Sequence, residues 1–297
     1  MSIQFIDLVK QFGKETILNQ FSLEIKEKDR VALIGSNGAG KTTLIRCLLG
    51  EYIYSGQVLV DGVAPRQDRM NVLKNISFVP QLPPPLRMPV RDLIKFSAKI
   101  CTIDADAIIQ CGEKLGLDFS VINKRPFVKL SGGQKQKILI AIAMARPVKT
   151  MIFDEPTANL DPKARAVFFD MMSERLDRTM IISSHRLEEV ASLVNRVVEM
   201  DQGRLVLDDR VDAADPGTRM RCTVILTKQA QTFGATAKDW NLTSNDDMLT
   251  WHGEITAADR LRFLGVLARY SGLLQTVKLE QIDKKTETTS GDMESAK

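Results

Sequence analysis

The chain has 297 residues, 44% of them hydrophobic and 26% charged, and 41 Lys and Arg against 37 Asp and Glu leave a formal net charge of +4. That length holds one large α/β domain plus a small one, and the composition excludes a disordered or fibrous protein. The basic residues are scattered rather than blocked together, so charge gives no reason to expect nucleic-acid binding.

The longest apolar run, Ile138 to Ala145, has eight residues, well short of the roughly eighteen that span a bilayer. The start, Met1-Ser2-Ile3-Gln4-Phe5-Ile6-Asp7, lacks the basic-then-apolar form of a signal peptide, so a cytoplasmic protein is expected. Cys47, Cys101, Cys111 and Cys222 have neither metal-ligand nor redox-pair spacing and read as reduced thiols. His185 and His252 are the only histidines, too few for a histidine-based metal site.

In chain order, Ile3 to Val9 and Phe21 to Ile25 read as strands joined by a turn at Gly13-Lys14. The apolar run Arg30 to Ile34 is a buried strand, and Leu44 to Leu49, closed by Gly50, a helix. Tyr54 to Gly62 and Ile76 to Pro80 add strands that, with the first two, suggest a small antiparallel sheet beside a parallel core. Pro83-Pro84-Pro85 and Pro89 make a stiff connector after Gln81. Its apolar neighbours Leu82, Leu86 and Met88 either dock a partner or fold back on the helical segment beyond Pro89.

Helices over Val90 to Cys101, Asp104 to Leu115 and Gly132 to Ala145 make residues 82–146 a helical insertion. Buried parallel strands return at Thr150 to Phe153 and Thr179 to Ser183, with a helix from Pro162 to Leu176 between them. A hairpin, Arg196 to Met200 and Arg204 to Leu207, closes a first domain, residues 1–212. A polar boundary at Val211 to Gly217 precedes a small α+β unit over 217–283, with strands at Arg221 to Leu226, Met248 to Glu254 and Leu274 to Ile282 and a helix from Ala257 to Tyr270. The tail, 284–297, is expected to be disordered.

Between the strand ending at Ile34 and the helix from Leu44 lies Gly35-Ser36-Asn37-Gly38-Ala39-Gly40-Lys41-Thr42-Thr43, of pattern G-x-x-x-x-G-K-[ST]. Glycines there let backbone N–H groups converge on phosphate oxygens at the positive end of a helix dipole. Lys41 then reaches the β- and γ-phosphates, and the Thr42 hydroxyl binds Mg²⁺. The strand Met151-Ile152-Phe153 ends in Asp154-Glu155-Pro156. An acid at that strand end, Asp154, suits the Mg²⁺ water shell, and the next, Glu155, suits a water in line with the γ-phosphate.

Leu130-Ser131-Gly132-Gly133-Gln134, about twenty residues before Asp154, resembles the signature motif of the ATP-binding-cassette ATPases. The resemblance covers residues 3–210 and implies a P-loop NTPase fold, α/β with a RecA-like parallel core, an antiparallel β subdomain and a helical subdomain. It implies that Ser131, Gly132, Gly133 and Gln134 bind the γ-phosphate of ATP held by a second copy of the chain. It further implies that Phe12 stacks on adenine, that Gln81 touches Mg²⁺ and senses the γ-phosphate, and that His185 contacts that phosphate. Asn159-Leu160-Asp161 resembles the loop that crosses between the two copies.

With one cassette, a short helical insertion and an extra C-terminal unit, the chain resembles the ATPases of export-type bacterial transporters whose membrane subunit is separate. That subclass includes drug, sodium, haem and copper-maturation transporters. After Leu279 the sequence Glu280-Gln281-Ile282-Asp283 departs from its more usual Leu-Glu-Asp followed by an aromatic. The implied function is an ATPase, with ATP and Mg²⁺, that forms a homodimer and drives an integral membrane permease from the cytoplasmic face of the inner membrane. The alternative is a soluble cassette ATPase acting on ribosomes or DNA. Such proteins usually join two cassettes in one chain or carry long coiled coils or zinc sites, and none of these is seen here.

Overall fold

A computed structural model describes residues 1–185, 187–210, 219–245, 247–256, 259–268 and 270–282. The contacts divide the chain into two compact units, residues 1–210 and 211–297. The expected boundary at Val211 to Gly217 and the expected disordered tail lie outside the described residues.

The first unit opens with β1 (Ile3–Phe12) and β2 (Glu15–Ile25), an antiparallel hairpin turning at Gly13-Lys14. In Phe21-Ser22-Leu23-Glu24-Ile25 burial alternates residue by residue, as it does in a strand with one covered face. After β3 (Arg30–Ile34) the glycine loop leads into α1 (Lys41–Leu48), followed by β4 (Ser55–Val60), which pairs with β1 to complete a three-stranded sheet in the order β2-β1-β4. One buried cluster joins Ile3, Phe5 and Phe21 of this sheet to Leu44, Ile45 and Leu48 of α1 and to Val31, Leu33 and Ile181 of the second sheet. Each such aliphatic or aromatic side chain contributes roughly 1.5–3 kcal/mol when fully buried, which anchors α1 and the loop ahead of it.

A short helix, α2 (Arg69–Lys74), precedes β5 (Ile76–Val79). This strand does not join the antiparallel sheet, as its grouping with the early strands suggested. It pairs in parallel with β6 (Thr150–Asp154) at the edge of a six-stranded sheet. Ile76, Ser77 and Val79 are all buried, so both faces of the strand are covered, which is the condition of a parallel strand between helices.

The helical insertion contains α3 (Val90–Cys101), α4 (Ala105–Lys114), the short α5 (Phe119–Ile122), a 3₁₀ turn at Phe127–Lys129 and α6 (Gly132–Ala145). Val90, Leu93, Ile94, Phe119, Phe127 and Ile138 form its own buried core. Leu86 and Met88 pack against that core, and their carbonyls accept hydrogen bonds from the N–H groups of Val128 (2.8 Å) and Phe127 (2.9 Å). Of the three apolar residues flanking the prolines, these two therefore fold back on the insertion, whereas Leu82 stays 77% exposed.

The second sheet continues through α7 (Pro162–Ser173), which ends one turn earlier than expected, β7 (Thr179–Ser184), the short α8 (Leu187–Val190), β8 (Arg196–Asp201) and β9 (Arg204–Arg210). Its order is β5-β6-β7-β3-β8-β9, parallel except for β9. Every residue of β6 and β7 is buried. The C-terminal ends of β3, β6 and β7 thereby carry the glycine loop, the two acids and His185 side by side.

The second unit contains β10 (Arg219–Leu226), α9 (Gln231–Asp239), β11 (Thr243–Ser244), β12 (Thr250–Thr256), α10 (Arg260–Ala268) and β13 (Leu274–Gln281). The antiparallel order β11-β12-β10-β13 makes this a βαββαβ unit. Phe233 of α9 packs edge-on against Trp251 at 5.7 Å, within a core that includes Val224, Leu226 and Phe263. Burial pushes the Cys222 thiol up to about 12 and the Cys47 thiol up to about 11, so both are inert at neutral pH.

Candidate nucleotide-binding site

At the end of β3 the backbone must turn away without colliding with its neighbour β8. A Cβ on Gly35 would lie 2.3 Å from the Met200 carbonyl oxygen, so glycine is required there. Gly40, the residue ahead of α1, has φ of +103°, a conformation that side chains disfavour. It offers no side-chain cap, so the first N–H groups of α1 point unpaired into the loop. The loop encloses a cleft of about 400 Å³ lined by Asn37, Gly38, Ala39, Gly40, Lys41, Thr42 and Thr43, with Phe12, Ile17, Gln81 and Glu155. Another cleft, of about 560 Å³ and lined by Gln4, Glu24, Lys26, Arg196 and Arg210 among others, shares none of these residues.

Lys41 is 6% exposed, and its ammonium donates to the carbonyl oxygens of Gly35 (2.7 Å) and Ser36 (3.1 Å). Burial lowers its pKa from the usual lysine range, while the nearby charges of Glu155 and Asp154 act in the opposite direction. The Thr42 hydroxyl donates to Asp154 Oδ2 at 2.8 Å, and the Ser183 hydroxyl donates to Asp154 Oδ1 at 2.5 Å. Thr42, Asp154 and the Gln81 amide supply only hard oxygen donors, which suits Mg²⁺ rather than a softer metal. Among the described residues no group of three or more His, Cys, Asp or Glu could hold a metal alone.

Glu155 has φ of +44°, an uncommon left-handed conformation for a glutamate that costs on the order of 1–3 kcal/mol. Its N–H is held by the Ser183 carbonyl (3.2 Å) and hydroxyl (3.0 Å), which fixes the turn. On the side chain, Gln81 Nε2 donates to Glu155 Oε2 at 3.2 Å, and His185 Nδ1 lies 3.5 Å from the same oxygen. One carboxylate oxygen from β6 thus gathers groups from the strands on either side. Phe12 is 45% exposed at the other end of the cleft, edge-on to Tyr52 at 5.2 Å and with Lys10 Nζ 4.2 Å from its ring centre.

Ser131, Gly132, Gly133, Gln134 and Asp161 do not line this cleft. Ser131 caps α6, its hydroxyl accepting from Gln134 N–H at 3.2 Å while Gln134 Oε1 accepts from Ser131 N–H at 3.1 Å. Asp161 caps α7 by accepting from Ala164 N–H at 2.9 Å, and its second oxygen accepts from Lys137 Nζ at 2.7 Å. The Lys137 hydrogen bond, followed by that from Ala164, holds the Asp161 carboxyl below its usual range.

Sequence reasoning passed over Ser183, which connects both acids to β7, and Glu189, which accepts from Thr157 (2.9 Å) and Arg165 (3.3 Å). Ser183 stands two residues before His185, so the strand end that supplied one candidate residue was also the place to seek a second.

The family model described as ABC transporter matches residues 18–158. An energy-coupling factor transporter ATP-binding protein of Clostridium perfringens is 33% identical over 223 residues, covering 71% of this chain and 78% of that protein. A lantibiotic transport ATP-binding protein of Streptococcus pyogenes is 33% identical over 215 residues, covering 70% and 91%. Among solved structures, a dimeric ATP-binding cassette in a post-hydrolysis state, bound to ADP and Pi, superposes with a TM-score of 0.62 at 21% identity, over 71% of this chain and 99% of that one. The last likeness is one of fold. With the loop, the paired acids and the signature helix all in place on that fold, the chain belongs to the ABC transporter family, among its ATP-binding subunits.

Proposed function

We propose that this chain binds and hydrolyses ATP as the motor subunit of a bacterial ABC transporter. The observation that carries the reading is the convergence of Gln81 and His185 on Glu155 Oε2 at the mouth of the glycine-loop cleft. Lys41 and the N–H groups of α1 bind the phosphates, and Phe12 offers its exposed face to the base. Thr42, Asp154 and Gln81 would hold Mg²⁺, which would supply positive charge beside the phosphate oxygens. Glu155 orients a water and takes its proton as the water oxygen bonds to the γ-phosphorus and the bond to the β-phosphate oxygen breaks. His185 and Gln81 set the direction of the Glu155 carboxylate and register the terminal phosphate.

In this reading two copies face each other head to tail, each presenting Ser131 to Gln134 and the loop Asn159 to Asp161 to the ATP of its partner. Among the described residues no helix is long and apolar enough to cross a membrane. In this reading the passage for cargo belongs to a separate integral membrane permease. The ATPase then works at the cytoplasmic face of the inner membrane. The βαββαβ unit supports placing it in the export-type subclass.

The test is Mg²⁺-dependent ATP hydrolysis by the purified chain and by Glu155→Gln. Loss of a positioned base slows turnover by about 10²–10⁴, and the variant accumulates as an ATP-bound dimer on a sizing column. Turnover by Glu155→Gln at the rate of the parent chain removes Glu155 from this role.

A further inference from the structure

Gln136 lies one turn into α6 and is fully buried, with a relative exposure of 0%. Neither its Nε2 nor its Oε1 has a hydrogen-bond partner. A buried amide with both ends unpaired is costly, and native proteins rarely keep one without a purpose. Helical spacing sets Gln136 on the same face as Gly132 and Gly133, four and three residues earlier. That face meets the loop running from Glu155 to Asp161, since a Cβ on Gly133 would lie 2.9 Å from the Asn159 carbonyl oxygen. The next residue, Lys137, already holds Asp161 at 2.7 Å. Among the described residues the N–H and C=O of Asn159 make no hydrogen bond, while their neighbours do, Ala158 N–H to Glu155 O and Leu160 N–H to Thr157 O.

We propose that Gln136 is a positioning residue whose idle amide hydrogen-bonds to the backbone of the loop Thr157–Asp161 when two ATP-bound copies close. The resting chain carries an unmatched donor and acceptor on α6, beside an exposed loop whose Asn159 backbone bonds to no other group of the protein. A small shift of the helical insertion against the loop gives the Asn159 N–H and C=O the Gln136 amide as their partner in place of water. The closed state gains what the resting state lacks, so closure of the signature helix is tied to the turn that aims Glu155. This rests on the ATPase reading above. It assigns Gln136 no contact with the nucleotide bound to its own chain.

The test is Gln136→Met, which keeps the volume and removes both polar atoms, with Gln136→Leu as a second variant in case the unbranched side chain packs poorly. Thermal melting without nucleotide is expected to rise by about 2–4 °C or more, because an unpaired buried amide is gone. The kcat for ATP is expected to fall roughly tenfold, the worth of one or two hydrogen bonds, with KM nearly unchanged. Higher melting with lower kcat at an unchanged KM is the combination expected of an amide that is paired only in the closed state.

Lower melting in both variants means the amide is already satisfied in the resting chain, by a buried water for example, and overturns the proposal. Raised melting with unchanged kcat overturns it too, as does a loss confined to KM. The parent chain and Glu155→Gln run alongside: a parent that does not hydrolyse ATP fails the ATPase reading, whereas a normal parent with unaltered Gln136 variants fails this proposal alone.

Discussion

Two helix starts in this molecule present backbone N–H groups suited to an anion, and they are built in opposite ways. At α1 the cap is Gly40, which contributes no side chain, and the N–H groups face an open cleft beside the Lys41 ammonium. At α6 the cap is Ser131, which forms a closed capping box with Gln134. The first start leaves its orphan donors to a ligand, the second satisfies part of them within the chain. A helix start that remains open leaves its unpaired donors to water or to a ligand. A self-capped one holds its shape alone and offers only the remaining N–H groups of Gly132 and Gly133 and the Ser131 hydroxyl proton.

That difference predicts different responses to damage. Lys41→Ala removes charge-assisted hydrogen bonds from the open start, so ATP affinity is expected to fall about 10- to 100-fold, read by nucleotide titration of the single chain. Ser131→Ala strikes the closed start and is expected to cost about 0.5–2 kcal/mol of stability through the lost cap. Its thermal melt should drop by a few degrees while single-chain ATP affinity stays within about twofold, and turnover by the dimer slows. Equal losses of affinity in the two variants would break the comparison, since the starts would then be serving the same nucleotide in the same chain.

The smallest effect sharpens the comparison at the loop behind α6. The Asp161 carboxyl is held below its usual range by Lys137, so its folded pKa is depressed relative to the unfolded value of about 3.9. The stability this contributes is present above that value and is lost as the pH falls through the folded pKa. Lys137→Met should therefore melt lower than the parent at pH 7, and the gap should narrow below about pH 4. The pair is largely exposed on the Asp161 side, so the difference is small and should shrink further in high salt. A gap that persists unchanged at low pH would assign the effect to packing of the lysine stem.

What the sequence determined by itself was whatever a contiguous segment can encode. A glycine loop of this pattern is suited to bind phosphate through its own backbone, so the candidate chemistry of Gly35 to Thr43 is written in nine consecutive letters. The same holds for Asp154-Glu155 at the end of an apolar strand and for Ser131 to Gln134 at the start of α6. Helices α3 and α6 were legible to the residue because their starts are marked, one by a proline and the other by a serine and two glycines. By contrast, α9 was missed, for Gln231 to Asp239 holds two threonines and Gly234, all weak helix formers.

Only the tertiary structure decided which strands sit side by side. Ile76 to Val79 is too short for its pattern to declare a sheet, and burial on both faces by neighbours distant in sequence places it next to β6. That placement brings Gln81, 74 residues before Glu155 in the chain, within hydrogen-bonding distance of its carboxylate. The bond from Ser183 to Asp154, the retreat of Leu86 into the helical core and the idle amide of Gln136 are likewise invisible in the letters. Each depends on what packs against the residue, a property that long-range contacts confer and local sequence does not carry.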